Sequence, residues 1–238
     1  MIDLQFYPTI EQVDKDSLQD AVVIVIDVLR SSSSVIAALE NGANSVIPVA
    51  EIETASRLVE PQDKSRKLLA GERRGEMIEG FDLGNSPLEF TRDVVSGKTI
   101  ILTTSNGTRG IVVSSKAKRV LVAAFNNLHA VVDEIRHEEQ IAVLCSGDEG
   151  NLSAEDLLCG GMIVEELGDS IDRKSLNDAA RIALVLSERY GSRLEEFLMV
   201  TDRGRQLVER GFKNDVVHCS RLDITRTIPE LKDGSIVA

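Results

Sequence analysis

The chain has 238 residues, of which 42% are hydrophobic and 28% charged, a composition that excludes wholesale disorder and provides a sizeable core. Its 39 acidic residues outnumber 27 Lys and Arg, which gives a net charge of -12, and aromatic residues make up only 3%. Such a chain repels phosphate backbones and anionic lipids, so we expect no nucleic-acid partner and no membrane binding.

The spacing of the cysteines and the length of the apolar runs indicate where in the cell to expect the protein. The three cysteines, Cys145, Cys159 and Cys219, are odd in number and lack CxxC spacing. The first residues show no secretory signal, and the longest apolar runs, near residues 21–29 and 100–102, are far shorter than the roughly 20 residues that span a bilayer. We therefore expect a protein of the reducing cytoplasm.

Short runs rich in Val and Ile alternate along the chain with segments of helical period. Strands are predicted at residues 21–29, 45–50, 68–69, 98–103, 119–123, 140–145 and 216–219. Helices are predicted at residues 31–39, 51–59, 86–97, 108–115, 128–138 and 153–167, and over 175–211 with breaks at Gly191 and near Thr201. Residues 71–86 are predicted to form a long polar loop, and the chain after residue 219 an irregular tail.

This alternation predicts an α/β fold, layered α/β/α around a largely parallel or mixed sheet. Residues 26–36 and 102–112 share the spacing of strand, polar loop and helix, which suggests two related βαβ halves. Any two βαβ units share that spacing, so the alternative of unrelated units stays open. No linker or low-complexity stretch divides the chain, and we predict a single α/β domain over residues 1–238.

Loops that follow predicted strands carry most of the reactive side chains. Three span residues 27–34, 103–109 and 145–156, and a fourth polar segment spans residues 71–87. Hydroxyls, helix N–H groups and arginines bind anions, whereas Asp and Glu bind hard cations. Ligands of parallel sheets bind where such loops meet, so we predict a metal-assisted site for a small anionic, phosphorylated substrate.

Structural roles compete with this interpretation. The serine run and Thr108 are also typical helix caps, the loop glycines are typical of turns, and Arg30 and Arg109 suit surface ion pairs. Asp27 is harder to explain in this way, because an acid directly after a buried strand is costly without a partner. Glu155 and Asp156 suit the first turn of a helix, where acids favour the helix dipole.

The sequence excludes several designs for phosphoryl transfer and metal binding. It contains no GxxxxGK[ST] loop, Asn151 stands where a cysteine phosphatase would need arginine after Cys145, and Leu29 replaces the second acid of a DxD phosphatase. Only three histidines are present, without zinc-site spacing. An oxygen-lined Mg²⁺ site is therefore the favoured metal site.

Five separated segments resemble, in order, the signatures of the 2-phosphosulfolactate phosphatase family. They are Asp27-Val-Leu-Arg-Ser with its serine-rich continuation, Gly71-Glu-Arg-Arg, Gly80-Phe-Asp-Leu-Gly-Asn-Ser-Pro-Leu-Glu, Thr103-Thr-Ser-Asn-Gly-Thr, and Ser153-Ala-Glu-Asp with Cys159-Gly-Gly. The resemblance runs from about residue 20 to 161, with weaker matches from residue 202 to 229. Leu152, where the family often has an aromatic residue, and the acidic pair Asp148-Glu149 depart from the pattern.

The resemblance implies a Mg²⁺-dependent hydrolase that removes phosphate from 2-phospho-3-sulfolactate to give 3-sulfolactate. In the family this step belongs to coenzyme M biosynthesis, and the enzymes have a distinctive α/β fold. The Asp148-Glu149 departure bears on substrate preference, so the family chemistry transfers more safely than the pathway.

This chemistry assigns expected roles to the loop residues. Substrate binding is expected at Arg30, Ser31, Arg73, Arg74, Thr104, Ser105, Asn106, Gly107, Thr108 and Arg109, because a highly anionic substrate needs a local cationic pocket. Mg²⁺ is expected on Asp27, Glu72 and Asp156. Asp27, Asp148 or Asp156 would orient or deprotonate the attacking water, with a covalent phosphoenzyme on Asp27, a hydroxyl or Cys145 as the open alternative.

Two rival functions stay open at this point. One is a lyase or isomerase that uses the same acids and arginines on a phosphorylated or sulfonated hydroxy acid. The other is a non-catalytic protein that binds an anion or metabolite. A homodimer is expected only because two-fold dimers are the commonest assembly.

Overall fold

The computed structural model describes residues 1–59, 63 and 65–238. Its strands are β1 (Asp3–Tyr7), β2 (Val22–Ile26), β3 (Ser45–Pro48), β4 (Lys67–Arg73), β5 (Glu76–Met77), β6 (Thr99–Thr103), β7 (Arg119–Ala123), β8 (Gln140–Cys145), β9 (Glu230–Lys232) and β10 (Ser235–Val237). Its helices are α1 (Ser31–Glu40), α2 (Ile52–Arg57), α3 (Arg92–Val95), α4 (Gly107–Val113), α5 (Leu128–Ile135), α6 (Ala154–Leu167), α7 (Asp178–Tyr190), α8 (Leu194–Leu198), α9 (Asp202–Glu209) and α10 (Lys213–Cys219).

The ten strands of the described residues join one mixed sheet in the order β1-β8-β2-β7-β9-β10-β3-β6-β4-β5. The sheet contains two groups in which neighbouring strands are parallel, β1-β8-β2-β7 and β3-β6-β4. The antiparallel hairpin β9–β10 lies between them and pairs with β7 on one side and β3 on the other. Three antiparallel pairings therefore separate the groups, so the groups run in opposite directions along the sheet.

The sheet curls strongly between the two groups. Strands β2 and β6 are five positions apart in the sheet, which in a flat sheet would separate them by about 24 Å. In a flat sheet their carboxyl ends would also lie at opposite edges. Nevertheless Ser31, just after β2, donates a hydrogen bond from Oγ to Oγ1 of Thr104, just after β6, over 3.1 Å. The curl thus brings the two carboxyl ends to one place.

Alternating strand residues build two core layers. In β2, Val22, Ile24 and Ile26 face a core that includes side chains of α5, α6 and α7. Val23 and Val25 face a second core, which takes side chains from α1 and α4 and from strands of both parallel groups. The two-residue period of a buried strand explains this division. Helices α1 and α4 therefore lie where both groups contribute to the core.

The predicted α/β class, the mixed sheet and the layered arrangement are confirmed. The strands predicted between residues 21 and 145 and most helices are present, with ends shifted by a few residues. The helix predicted at 86–97 is shorter, a 3-10 turn at Pro87–Glu89 followed by α3. The single domain over residues 1–238 and the relatedness of the two halves stay predictions.

Three predictions of secondary structure are wrong. Residues 216–219 lie in α10 rather than in a strand, because Val216 and Cys219, three residues apart, are both fully buried on one helix face. Residues 71–86 are not all loop, since β4 extends to Arg73 and β5 follows it. The tail after residue 219 is not irregular throughout, since it forms β9 and β10. Strand β1 was not predicted.

Within the described part of the chain, no helix is long and apolar enough to cross a membrane.

Candidate active site

Four segments from both parallel groups meet at one place. The loop after β2 contacts the first turn of α6, where the Val28 N–H donates to Oδ1 of Asp156 over 2.9 Å. The loop after β6 contacts the end of β4, where the Ser105 N–H donates to Oε1 of Glu72 over 2.9 Å. The hydrogen bond between Ser31 and Thr104 joins the two pairs. The structure therefore brings the predicted loops together at the curl of the sheet.

Asp27 lies at the centre of this meeting point and is 7% exposed. Its Oδ1 accepts the Ser31 N–H over 3.2 Å, and its own N–H donates to Ser32 Oγ over 2.9 Å. Burial raises the pKa of Asp27 to about 6, opposed by the charge of Arg203 and supported by that of Glu72. An acid this close to neutrality is suited to catalysis or to cation binding.

Gly107 allows the two parallel groups to approach each other at Asp27. A Cβ atom on Gly107 would lie 2.4 Å from the Cβ of Ser31 and 2.7 Å from Oδ2 of Asp27, much closer than real side chains pack. The role of Gly107 in this structure is therefore close approach, and its predicted contact with substrate stays a prediction.

Two further acids are buried beside Asp27, and both are 2% exposed. Burial, together with the charge of Asp27, raises the pKa of Glu155 to about 7. Burial and the charges of Asp27 and Glu155 also raise the pKa of Asp156 well above its ordinary value. Glu155 was interpreted from sequence only as a helix-dipole acid, and the structure places it in the cluster.

Glu72 and Asp156 also hold the loops together. The two oxygens of Glu72 accept the N–H groups of Gly75 (2.6 Å) and Ser105 (2.9 Å). The two oxygens of Asp156 accept those of Val28 (2.9 Å) and Gly147 (3.2 Å). Each carboxylate thereby ties together two segments of the site.

The guanidinium of Arg30 faces α10. Its Nη1 lies 2.5 Å from Oδ2 of Asp215, whose Oδ1 accepts the Ser86 hydroxyl over 2.8 Å. The guanidinium also stacks 4.4 Å above the centre of the Phe212 ring, and Arg30 is 2% exposed. The predicted oxyanion ligand thus has a buried counter-ion, Asp215, that sequence reasoning missed.

Two other predicted arginines are engaged elsewhere. Arg73 donates to the carbonyls of Glu72 (2.8 Å) and Ala50 (3.0 Å) and to Oγ1 of Thr103 (2.9 Å), which fixes the end of β4. Arg109 forms an exposed ion pair with Glu11 at 3.1 Å and lines a separate cavity of about 530 Å³ beside α4. The structure does not bring Arg109 to the acids.

The predicted segment from Thr104 to Thr108 leads from β6 into the first residues of α4. Thr108 donates its N–H to Oγ1 of Thr104 over 3.2 Å and its hydroxyl to the Thr104 carbonyl over 3.1 Å. Asn106 donates from Nδ2 to Oδ1 of Asp148 over 3.0 Å and accepts the Glu149 N–H over 3.3 Å. This segment therefore connects the acid cluster with the Asp148 loop.

A polar cleft lies beside the acid cluster and consists of two adjoining cavities. The inner cavity, about 430 Å³, includes Glu155 in its wall. The outer cavity, about 330 Å³, includes Arg74, Ser105 and Arg210. Four residues line both cavities: Asp148, Glu149, Arg203 and Gln206.

Arg203 links the cleft to the buried acids and was not among the predicted site residues. Its Nε donates to the Leu29 carbonyl over 3.3 Å, and its Nη2 lies 4.0 Å from Oε2 of Glu72. The positive charge of Arg203 lowers the pKa of both Asp27 and Glu155 and so offsets part of the rise that burial causes. The only sequence signal for it was a weak family match at residues 202–205.

The charge of the cluster fits a divalent cation. Asp27, Glu72, Glu155 and Asp156 are buried together, and their mutual repulsion contributes to the raised pKa values. Oxygen donors of this kind suit Mg²⁺. In the part of the chain that the structure describes, no three His, Cys, Asp or Glu side chains already stand in a metal-binding arrangement. The fit therefore rests on charge and donor type.

Comparison with known proteins gives the family. A family model described as 2-phosphosulpholactate phosphatase matches residues 7–234. The chain belongs to the 2-phosphosulfolactate phosphatase family. The resemblance seen in the five sequence segments is confirmed.

Similar proteins of this family occur in several bacteria, and each of the following is named a probable 2-phosphosulfolactate phosphatase. The protein of Thermotoga petrophila is 39% identical over 214 residues, 90% of each chain. That of Caldanaerobacter subterraneus subsp. tengcongensis is 38% identical over 234 residues, 98% of this chain and 97% of its own. That of Clostridium acetobutylicum is 34% identical over 228 residues, 95% and 96% of the two chains.

The pKa of Glu155 predicts how the stability of this phosphatase-family protein depends on pH. The pKa of Glu155 in the folded protein, about 7, lies above its ordinary value of 4.5. The protonated carboxyl therefore contributes its full share to the stability of the fold below pH 4.5, and this contribution is lost as pH rises through 7. Glu155→Gln should therefore raise Tm at pH 8 by about 2–8 °C and leave it unchanged at pH 4. Thermal melts at both pH values test this, with Glu166→Gln on the same helix as control. A lower Tm at pH 8 would contradict it.

Cys145 is expected to be a packing residue in this family member. Burial, together with the charge of Asp156, raises the pKa of its thiol well above the usual 9.0, which disfavours the nucleophilic thiolate. Cys145→Ser should keep kcat within about threefold of wild type, because a buried thiol acts as a small hydrophobe. A loss of about a thousandfold in an otherwise folded variant would identify a covalent role.

Proposed function

We propose that the protein is a Mg²⁺-dependent phosphatase that hydrolyses the phosphoester of 2-phospho-3-sulfolactate to 3-sulfolactate and phosphate. Membership in the family supports the reaction class. The observation that carries the proposal is the buried pair Asp27 and Glu155, with pKa values raised to about 6 and 7, next to an arginine-bearing cleft.

The charge of the site supports the requirement for a metal ion. The substrate carries phosphate, carboxylate and sulfonate groups, whereas the inner end of the cleft adjoins four buried acids. Bringing an anion to these acids is unfavourable unless a cation lies between them. Mg²⁺ would be held by Asp27 and Glu155, and when bound it would neutralise charge on the phosphoryl group.

Glu72 and Asp156, which were predicted as metal ligands, contribute in another way in this proposal. Their oxygens hold N–H groups of the surrounding loops, so they keep the site in shape and add negative charge. Glu155, as a ligand of Mg²⁺, would bring the metal to the inner cavity that it lines. Asp148 lines both cavities, so it is the predicted catalytic acid that can orient or deprotonate the attacking water. Arg203 lies between the acids and the cleft, where it can bind a phosphoryl oxygen.

The deciding experiment measures phosphate release from 2-phospho-3-sulfolactate by the purified protein, before chelation, after EDTA treatment, and after addition of Mg²⁺. We expect turnover to stop on chelation and to return with Mg²⁺ or Mn²⁺. Glu155→Gln should lose most of this activity, and Glu166→Gln, exposed on the same helix, should keep it.

Each other outcome points to a different function. Full turnover after rigorous chelation would remove the metal from the mechanism. Substrate consumption without phosphate release would identify a lyase or isomerase. Binding of the substrate without any turnover would identify a metabolite-binding protein. The homodimer and the cytoplasmic location stay predictions.

A further inference from the structure

The outer cavity of the cleft carries three guanidinium groups, from Arg74, Arg203 and Arg210. They come from two elements that are far apart in sequence. Arg203 is on α9 and Arg210 directly follows it, seven residues or about 10 Å further along the helix. Arg74 is on the turn between β4 and β5.

The turn and the helix are held against each other. Arg74 and Gly75 both have positive φ, 55° and 82°, as in the tight turns that close two-stranded hairpins. Nη1 of Arg210 donates to the Arg74 carbonyl. A Cβ atom on Gly75 would lie 2.9 Å from that same Nη1. The hairpin tip thereby fixes Arg210, and both arginines line the outer cavity.

The two cavities of the cleft differ in charge. The wall of the inner cavity includes the acids Asp148, Glu149, Glu155 and Asp202 and the single arginine Arg203. The wall of the outer cavity includes three arginines against Asp148 and Glu149. Oε1 of Glu76, which lines neither cavity, lies 4.0 Å from Nη1 of Arg210. The inner end of the cleft is therefore strongly negative, whereas arginines outnumber acids by three to two in the lining of its outer end.

This polarity matches a small molecule that carries anionic groups at both ends. A cation and a phosphoryl group suit the inner end, beside the buried acids. A sulfonate or carboxylate suits the outer end, because the planar guanidinium matches such oxyanions. Arg203, between the two cavities, can contact both.

We propose that Arg74 and Arg210 form a second anion subsite, which binds the sulfonate and carboxylate end of the substrate and selects phosphoesters that carry another anionic group. This inference rests on the proposed phosphatase function and assigns its substrate specificity to particular residues. The arginines predicted from sequence for this purpose included Arg74 but not Arg210.

The test compares two substrates, 2-phospho-3-sulfolactate and phenyl phosphate, which lacks the second anion. In Arg210→Gln and Arg74→Gln, the ratio of kcat/KM values for the two substrates should fall about 10- to 100-fold from the wild-type ratio, the range for one lost hydrogen bond to a charged group. Arg210→Lys should give an intermediate ratio, because lysine keeps the positive charge but lacks the planar guanidinium with its paired N–H donors. The control is Arg193→Gln, since Arg193 forms an exposed ion pair with Glu196 and both residues are outside the two cavities.

A second measurement keeps the inference testable if a variant turns over poorly. The Kd of the product 3-sulfolactate, measured by calorimetry, should rise about tenfold or more in Arg210→Gln and should not change in Arg193→Gln. An unchanged ratio and an unchanged Kd in both subsite variants, in a protein that hydrolyses phosphosulfolactate, would overturn the subsite and leave the function standing. A wild-type protein that hydrolyses neither phosphoester would overturn the function itself, and the subsite with it.

Discussion

Asp27→Asn is expected to lower kcat by about 100- to 1,000-fold, the loss typical when one charged or polar group of a preorganised site is removed. Asparagine keeps the size of the side chain, and its Oδ1 can still accept the Ser31 N–H. The change therefore removes the charge and leaves the loop geometry in place. Steady-state phosphate release measures the effect, and Asp172→Asn, at a turn outside the cleft, is the control.

The same variant is expected to be more stable than wild type above pH 6. The pKa of Asp27 rises from 3.8 to about 6 on folding, so its favourable contribution is present below pH 3.8 and lost as pH rises through 6. Asp27→Asn should therefore raise Tm at pH 8 by about 2–8 °C and leave Tm unchanged near pH 3.5. Lower Tm with unchanged kcat would show instead that the acid is structural.

Asp215→Ala is expected to destabilise the protein by about 3–5 kcal/mol, because it leaves the buried guanidinium of Arg30 without its counter-ion. For a chain of this size Tm should fall by about 6–20 °C. Denaturant unfolding measures the change. Arg193→Ala, which removes an exposed ion pair with Glu196, should cost less than about 1 kcal/mol and is the control.

The double variant Arg30→Met, Asp215→Ala separates two roles for Arg30. If Arg30 and Asp215 interact only with each other, the free energy of unfolding lost in the double variant should be smaller than the sum of the losses in the two single variants. If Arg30→Met instead leaves stability unchanged and raises KM for the anionic substrate, Arg30 binds substrate as the sequence predicted. The two results distinguish an Arg30 that only forms a structural ion pair from an Arg30 that binds the substrate.

The pattern of apolar residues along the sequence was sufficient to predict the strands that make up most of the sheet. The run at residues 22–26 is apolar at every position because both faces of the strand are covered, and such a run has few alternatives. Short elements carry no comparable signal. Strands β9 and β10 have three residues each, and β9 contains Glu230 and Lys232, so only pairing with neighbours makes them strands.

Residues 216–219 show how tertiary contacts decide an ambiguous segment. Val-Val-His-Cys is apolar and β-branched, which favours a strand, but it is also one turn of helix long. In the fold, Val216 and Cys219 fill one core while Asp215 reaches Arg30, and only a helix presents these three residues together.

The candidate site was predictable where the chemistry was local. Asp27 was identified because it follows a buried strand directly. Arg203 and Asp215 could not be found in this way, because their partners Leu29 and Arg30 are 174 and 185 residues earlier in the chain. Glu155 was interpreted as a helix-dipole acid because nothing in its neighbourhood in sequence reveals Asp27 beside it.

The position of the hairpin β9–β10 has a consequence for biosynthesis. A ribosome makes these two strands after the other eight strands of the sheet, yet they join β7 to β3. Until then, the nascent chain holds two half-sheets, each with an unpaired edge that can bind another chain. Asp27 after β2 and the residues after β6 are translated early, but the strands that complete the hydrogen bonding between their two half-sheets are translated late. Completion of the sheet around the candidate site is thus tied to the arrival of residues 230–237, although the residues of the site are made earlier.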